Sequence, residues 1–215
     1  MGKSLIIIGK GYSVTRCTKK FVDSHDEVCI INSPVYDGYE HLISNHADYL
    51  FTNKTGITYT PKLVGALGLK KMFFSGHSYQ KFQRLTPNVD TIYPSPNLYE
   101  NILSNENFKA STGIQALTYF INLKDYEEIS IVGFDFHEIG TSPYYYNVNE
   151  AHPEMRYLWN NKWKNNIINE ASGHGEVESI NYMDKLIKEN NNISFKMISN
   201  NKRVNLLSND NCKNI

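Results

Sequence analysis

The feature that most constrains this chain is an aliphatic run that ends in glycine: Leu5-Ile6-Ile7-Ile8, followed at once by Gly9-Lys10-Gly11-Tyr12-Ser13. Such a run reads as a buried strand that gives way to a turn and then to a helical stretch reaching about residue 24. The pattern recurs. Residues 27–31 read as a second strand ending at Asn32, 48–52 as a third ending at Asn53, and 71–75 as a fourth. Residues 128–132 make a fifth, ending at Gly133-Phe134-Asp135, and 193–198 a last one. Residues 111–123 carry Ile114, Leu117, Phe120 and Ile121 at the spacing of a buried helix, and 175–189 place Ile180, Met183 and Ile187 on one helical face. Strands alternating with helices build βαβ units. The predicted fold class is therefore α/β, a Rossmann-like, mostly parallel sheet with helices on both faces. Strand ends at 9, 32, 53 and 133 should then share one edge, where open α/β sheets bind ligands.

The length of 215 residues suits a single domain, predicted over 1–200, with 201–215 as a frayed tail. One stretch breaks the alternation. Residues 136–172 are rich in Tyr, Asn and Trp, contain Pro143 and Pro153, and show no clean strand, so they read as a lid-like excursion over the sheet edge. Composition excludes several classes. With 22 Lys+Arg against 22 Asp+Glu, the chain lacks the basic excess of a general nucleic-acid binder. No apolar run approaches the ~20 residues that span a bilayer, and no signal-peptide pattern opens the chain. Cys17, Cys29 and Cys212 are odd in number and form no CxxC, which argues against a disulfide framework and points to a reducing, cytoplasmic setting.

Several segments carry chemistry, each with a plainer alternative. Gly9, Lys10, Gly11 and Ser13 sit where a strand meets a helix, a place suited to phosphate. A dinucleotide fingerprint would need Gly near Val14 and an acid at Asn32, so NAD is excluded; a ligand-free tight turn stays open. Gly76-His77-Ser78-Tyr79 resembles half a nucleophile elbow but continues with Gln80 instead of Gly. Asp135 and His137 follow a strand and with His174 could assemble a metal site; Asp135 as a turn-forming or capping residue is the alternative. Ser111, Thr112 and Gly113 open a helix after Lys109, where a cap and an anion site use the same geometry. His174, between small residues in Ser172-Gly173-His174-Gly175, is suited to take a proton from an alcohol.

In their order along the chain, these segments resemble the bacterial lipooligosaccharide sialyltransferases of glycosyltransferase family 42. Gly9-Lys10-Gly11-Tyr12-Ser13 is similar to that family's G-N-G-P-S, and Lys109-Ala110-Ser111-Thr112-Gly113-Ile114 to its R-x-T-S-G-V. Gly133-Phe134-Asp135-Phe136 resembles G-I-D-F, and Gly173-His174 the G-H segment. The ordered set, spread over residues 4 to 190, is more specific than any one motif. Lys10 replaces Asn, Lys109 replaces Arg, and His137 stands in place of Tyr; these departures bear on the sugar more than on the nucleotide.

The resemblance implies a single-domain GT-A-variant fold and a CMP-activated keto-acid sugar, foremost sialic acid, as donor. It implies Gly9, Lys10, Gly11, Ser13, Asn32, Asn53, Lys109, Ser111, Thr112, Gly113 and Asp135 around the donor, and His174 as general base. His137 with lid tyrosines among Tyr144, Tyr145 and Tyr146 would donate hydrogen bonds to the leaving phosphate, so that neither metal nor other cofactor is required. The acceptor would be a glycan or glycolipid hydroxyl. A homo-oligomer and peripheral contact with the inner face of a membrane are further expectations. Other readings stay open: a transferase of Kdo or a flagellar nonulosonate, a metal-dependent phosphohydrolase at Asp135, His137 and His174, and a non-catalytic nucleotide- or glycan-binding module.

Overall fold

A computed structural model describes residues 2–32, 38–44, 46–52, 67–74, 89–92, 110–136, 176–204, 207 and 211–215. Their strands are β1 (Lys3–Ile8), β2 (Glu27–Ile31), β3 (Tyr49–Thr52), β4 (Lys71–Phe74), β5 (Asp90–Ile92), β6 (Tyr126–Val132), β7 (Ser194–Ile198) and β8 (Cys212–Asn214). They form one eight-stranded sheet in the order β5-β4-β3-β2-β1-β6-β7-β8, and every neighbouring pair is parallel. The predicted α/β fold is thus the observed one. From the central β1 the chain builds outward through β2 to β5, then returns to β1's other side to lay down β6 to β8. The direction of building reverses between β1 and β6.

Period-two alternation divides the core. Leu5 and Ile7 of β1, Cys29 and Ile31 of β2, Phe51 and Phe73 face one side. There they meet α2 (Thr112–Leu123) through Ile114, Leu117 and Phe120, and α3 (Glu176–Glu189) through Ile180, Met183 and Ile187. Phe51 stacks on Phe73 at 4.2 Å between centroids, and Phe120 meets Phe51 edge-on. Ile6, Ile8, Val28, Ile30, Leu50 and Met72 face the other side, against Val14, Val22, Leu42, Ile43 and Leu67.

The segment after β1 is more broken than a single predicted helix. A 3-10 turn covers Tyr12–Arg16, Cys17 is extended, and α1 (Lys19–Val22) follows with Thr18 Oγ1 accepting from Phe21 N at 3.2 Å. Two strands lie outside the sequence expectation. Both are three residues long, too short to show a period. One of them, β8, pairs with β7 through Phe195↔Cys212, so the segment expected as a frayed tail supplies a sheet edge. The predicted lid, beyond Phe136, lies outside the described residues.

His25 is buried between α1 and β6. Its Nδ1 lies 2.9 Å from the Phe21 carbonyl oxygen and its Nε2 2.8 Å from Ser130 Oγ. A carbonyl only accepts, so Nδ1 carries the proton, and in the neutral ring Nε2 accepts from the Ser130 hydroxyl. Burial lowers the His25 pKa below its ordinary 6.5, although the Phe21 carbonyl and the Glu128 charge pull the other way. The unfolded chain therefore binds this proton more readily, and stability is lost as pH falls below that ordinary value. Thermal melts from pH 7.5 to 5 should show a steeper fall for the wild type than for His25→Gln; parallel curves would remove His25 from the acid response.

Candidate functional site

The carboxyl ends of β1 and β6 lie side by side, and their loops are bonded to each other. Gly9 N donates to Val132 O at 2.7 Å, and Gly11 N to Gly133 O at 2.9 Å. The approach leaves no space for side chains: a Cβ on Gly11 would stand 2.5 Å from Asp135 Oδ2. Gly133 itself has φ +76°, which favours glycine. The glycines of the first turn are therefore demanded by the packing of the chain against itself.

Asp135 completes the join. Its buried carboxylate accepts from Ser13 N at 2.7 Å through Oδ2, and from Ser199 Oγ and Asn200 N at 2.9 Å each through Oδ1. Ser13 Oγ turns inward to donate to Ile198 O at 3.1 Å. Asp135 and Ser13 thus build the turn, with their polar atoms engaged inside the chain. The turn-forming alternative weighed for Asp135 describes its geometry. Phe136, next in the chain, has φ +48°, a strained conformation for a bulky residue that costs about 1–3 kcal/mol.

The remaining described candidates surround this join. Lys10 is partly buried at the turn, and loss of solvent brings its ammonium down to about 8. Asn32 ends β2 with φ +57°, a conformation Asn tolerates, and its N–H donates to Phe51 O at 2.7 Å. Ser111 caps α2, accepting from Ile114 N at 3.3 Å. Thr112 and Gly113 are buried in the first turn of that helix. The Phe134 ring fills the space beside Gly113, where a Cβ would be 2.8 Å away, and this contact brings the amino end of α2 to the sheet edge. Phe134 also stands against Gly9, so the amino end of α2 and the Gly9–Ser13 turn pack on the same ring; a helix amino terminus is a place suited to an anion.

Asn53, Lys109, His137, Tyr144, Tyr145, Tyr146 and His174 lie outside the described residues, as does the segment 76–80. Sequence reasoning missed Ser199, Asn200 and Asn201. Their signal was a polar run directly after a strand, at the same place where Asn32 and Asn53 drew attention. Among the described residues no group of three His, Cys, Asp or Glu side chains converges as a metal site. No described helix is long and apolar enough to cross a membrane.

No protein-family model and no curated protein matches this chain in sequence. Solved structures do match. One is the sialyltransferase CstII from Campylobacter jejuni in complex with cytidine-5'-monophosphate, at 16% identity and a TM-score of 0.63, covering 94% of this chain and 83% of that one. The chain has the fold of this sialyltransferase. CstII in complex with a trisaccharide acceptor and CMP matches at 14% identity and a TM-score of 0.58, covering 99% of this chain and 89% of the other. A mammalian sialyltransferase in complex with Gal-beta-1-3GalNAc-ortho-nitrophenol matches at 13% identity and 0.59, covering 90% and 69%.

The lowered Lys10 pKa has a stability consequence. The unfolded chain keeps this proton up to about 10.5 while the folded chain releases it near 8, so Lys10 opposes folding below pH 8 and does so less as pH rises. Ligand-free Lys10→Met should therefore melt no lower than wild type at pH 7, and the difference should shrink toward pH 10. A variant that melts well below wild type at pH 7 would show that the ammonium stabilises the turn.

Proposed function

We propose that this protein is a glycosyltransferase of the sialyltransferase type, transferring a keto-acid sugar from a CMP-activated donor to a glycan hydroxyl with inversion. The observation that carries this reading is the match, over nearly the whole chain, to a sialyltransferase fold whose solved complex holds CMP. The anchored Gly9–Ser13 turn at the point where strand order reverses supports it, because open α/β sheets bind nucleotides there. In this reading Lys10, Asn32, Asn53, Lys109 and the amino end of α2 at Ser111, Thr112 and Gly113 hold the donor's phosphate, carboxylate and nucleoside. Gly9, Gly11, Ser13 and Asp135 give the turn its shape.

The chemistry follows from the donor. Its leaving group is already a phosphate, and departure develops negative charge on that phosphate while the anomeric carbon becomes oxocarbenium-like. His174 takes the proton of the acceptor hydroxyl as it attacks from the face opposite the nucleotide. His137, Tyr144 and Tyr145 donate hydrogen bonds to the departing phosphate, a task that other enzymes give to a metal ion. Sialic acid is the first donor to test. A different CMP-activated keto-sugar, such as Kdo or a nonulosonate, is the second reading, favoured by the desolvated Lys10 at the donor turn. The acceptor would be a glycan or glycolipid, reached in the cytoplasm or at the inner face of a membrane.

Loss of the base should lower transfer by on the order of 10²- to 10⁴-fold in His174→Ala while CMP affinity, followed by calorimetry, stays near wild type. Undiminished transfer by that variant would remove His174 from the mechanism. Transfer should persist in EDTA, and CMP should raise the melting temperature more than UMP or GMP. Loss of transfer in EDTA with recovery on adding a divalent ion would favour the metal-dependent reading instead.

A further inference from the structure

A second chain of hydrogen bonds leaves Asp135 in the direction of α3. Asn201 follows β7 and is almost fully buried, at 1% exposure. Its Nδ2 donates one bond to the Asp135 carbonyl oxygen at 3.1 Å and another to Glu176 Oε1, also at 3.1 Å. Its Oδ1 accepts from Arg203 N at 2.9 Å, and its own N–H donates to Ser199 Oγ at 3.1 Å. Both amide protons and the amide oxygen are thus engaged. Glu176 is the first residue of α3, two positions after His174, and Arg203 Nη1 stands 3.7 Å from its Oε1. Asp135 is the same residue whose carboxylate holds Ser13.

We infer that Asn201 is a positioning residue for the proposed transfer: its amide ties Glu176, the first residue of α3 and two positions after His174 in sequence, to the aspartate that anchors the donor turn. A side-chain amide, with two protons on one nitrogen, can bridge a carbonyl and a carboxylate in this way. Aspartate at the same place would present a carboxylate to Glu176 and donate to neither. His174 lies two residues before this tie in sequence, and a misplacement of about 1 Å in reacting groups can cost on the order of 100-fold in rate. The inference rests on the proposed role of His174, but the tie itself can be measured without turnover.

Amide hydrogen exchange over residues 176–180, transfer kinetics and CMP calorimetry on Asn201→Ala, Glu176→Ala and Glu176→Gln test the assignment. Asn201→Ala and Glu176→Ala should both exchange faster at the start of α3. Both should lose on the order of 10- to 100-fold in kcat, with donor KM and CMP Kd held within about twofold. Glu176→Gln keeps an acceptor oxygen for the Asn201 amide and should stay near wild type in both readouts. Unchanged exchange or unchanged kcat in the alanine variants would overturn the inference, as would loss of CMP affinity in step with kcat. If Asn201→Ala does not fold, the Glu176 pair decides alone. A wild type that transfers no CMP-activated sugar would instead overturn the proposed function, while exchange would still report whether Asn201 holds the helix.

Discussion

The carboxylate of Asp135 is the interaction on which the rest of this edge depends. A carboxylate taken out of water is costly unless its lone pairs are met, and here three donors from two distant segments meet them. Ser13 is 122 residues away in sequence and Asn200 is 65. The charge therefore acts as a fastener: it draws the loop after β1 and the loop after β7 onto the end of β6. The glycines at 9, 11 and 133 permit this closeness, and Phe136, next after Asp135, takes a positive φ.

The opposite end of the sheet is fastened by a different buried acid. Glu27, at the start of β2, accepts from Tyr126 Oη at 2.5 Å and Tyr49 Oη at 3.0 Å, with Lys3 and Lys70 nearby. Burial pushes its carboxyl up, but the two tyrosines and two lysines more than reverse this and hold it below the usual glutamate value. The starts of β2, β3 and β6 are joined there. Each end of the sheet is thus fastened by its own buried acid, Glu27 at the amino ends of the strands and Asp135 at their carboxyl ends.

Much of the fold was legible along the chain. β1, β2, β6 and β7 fall close to the expected runs: β1 and β2 carry consecutive buried apolar side chains, β6 ends in the buried Ile129–Val132, and β7 alternates Phe195 and Met197 with Ser194 and Lys196. α2 was legible through Ile114, Leu117, Phe120 and Ile121, and Ser111 as its cap. β5 and β8 were not, because a three-residue strand has no period of its own and exists only where a neighbour offers unpaired N–H and C=O groups. The site was legible in part. Gly9, Lys10, Gly11, Ser13, Ser111, Gly113 and Asp135 were all singled out and do gather at one edge, but Asp135 and Ser13 were read as facing a ligand and their polar atoms turn inward. Ser199, Asn200 and Asn201 escaped notice because they act through a hydroxyl, a backbone N–H and amide protons, which any polar run could supply.

The sequence by itself determined the α/β class, the parallel sheet and the edge at which its loops collect, since hydrophobic periodicity and strand–helix alternation are local properties of the chain. It also located the glycines. Only the tertiary structure decided why they are there: Gly11 makes room for a carboxylate 124 positions downstream, and Asn201 reaches from that aspartate to the first residue of α3. Hydrogen bonds between segments so far apart depend on how the strands are ordered in the sheet, and strand order is a property of the packed whole rather than of any stretch of residues.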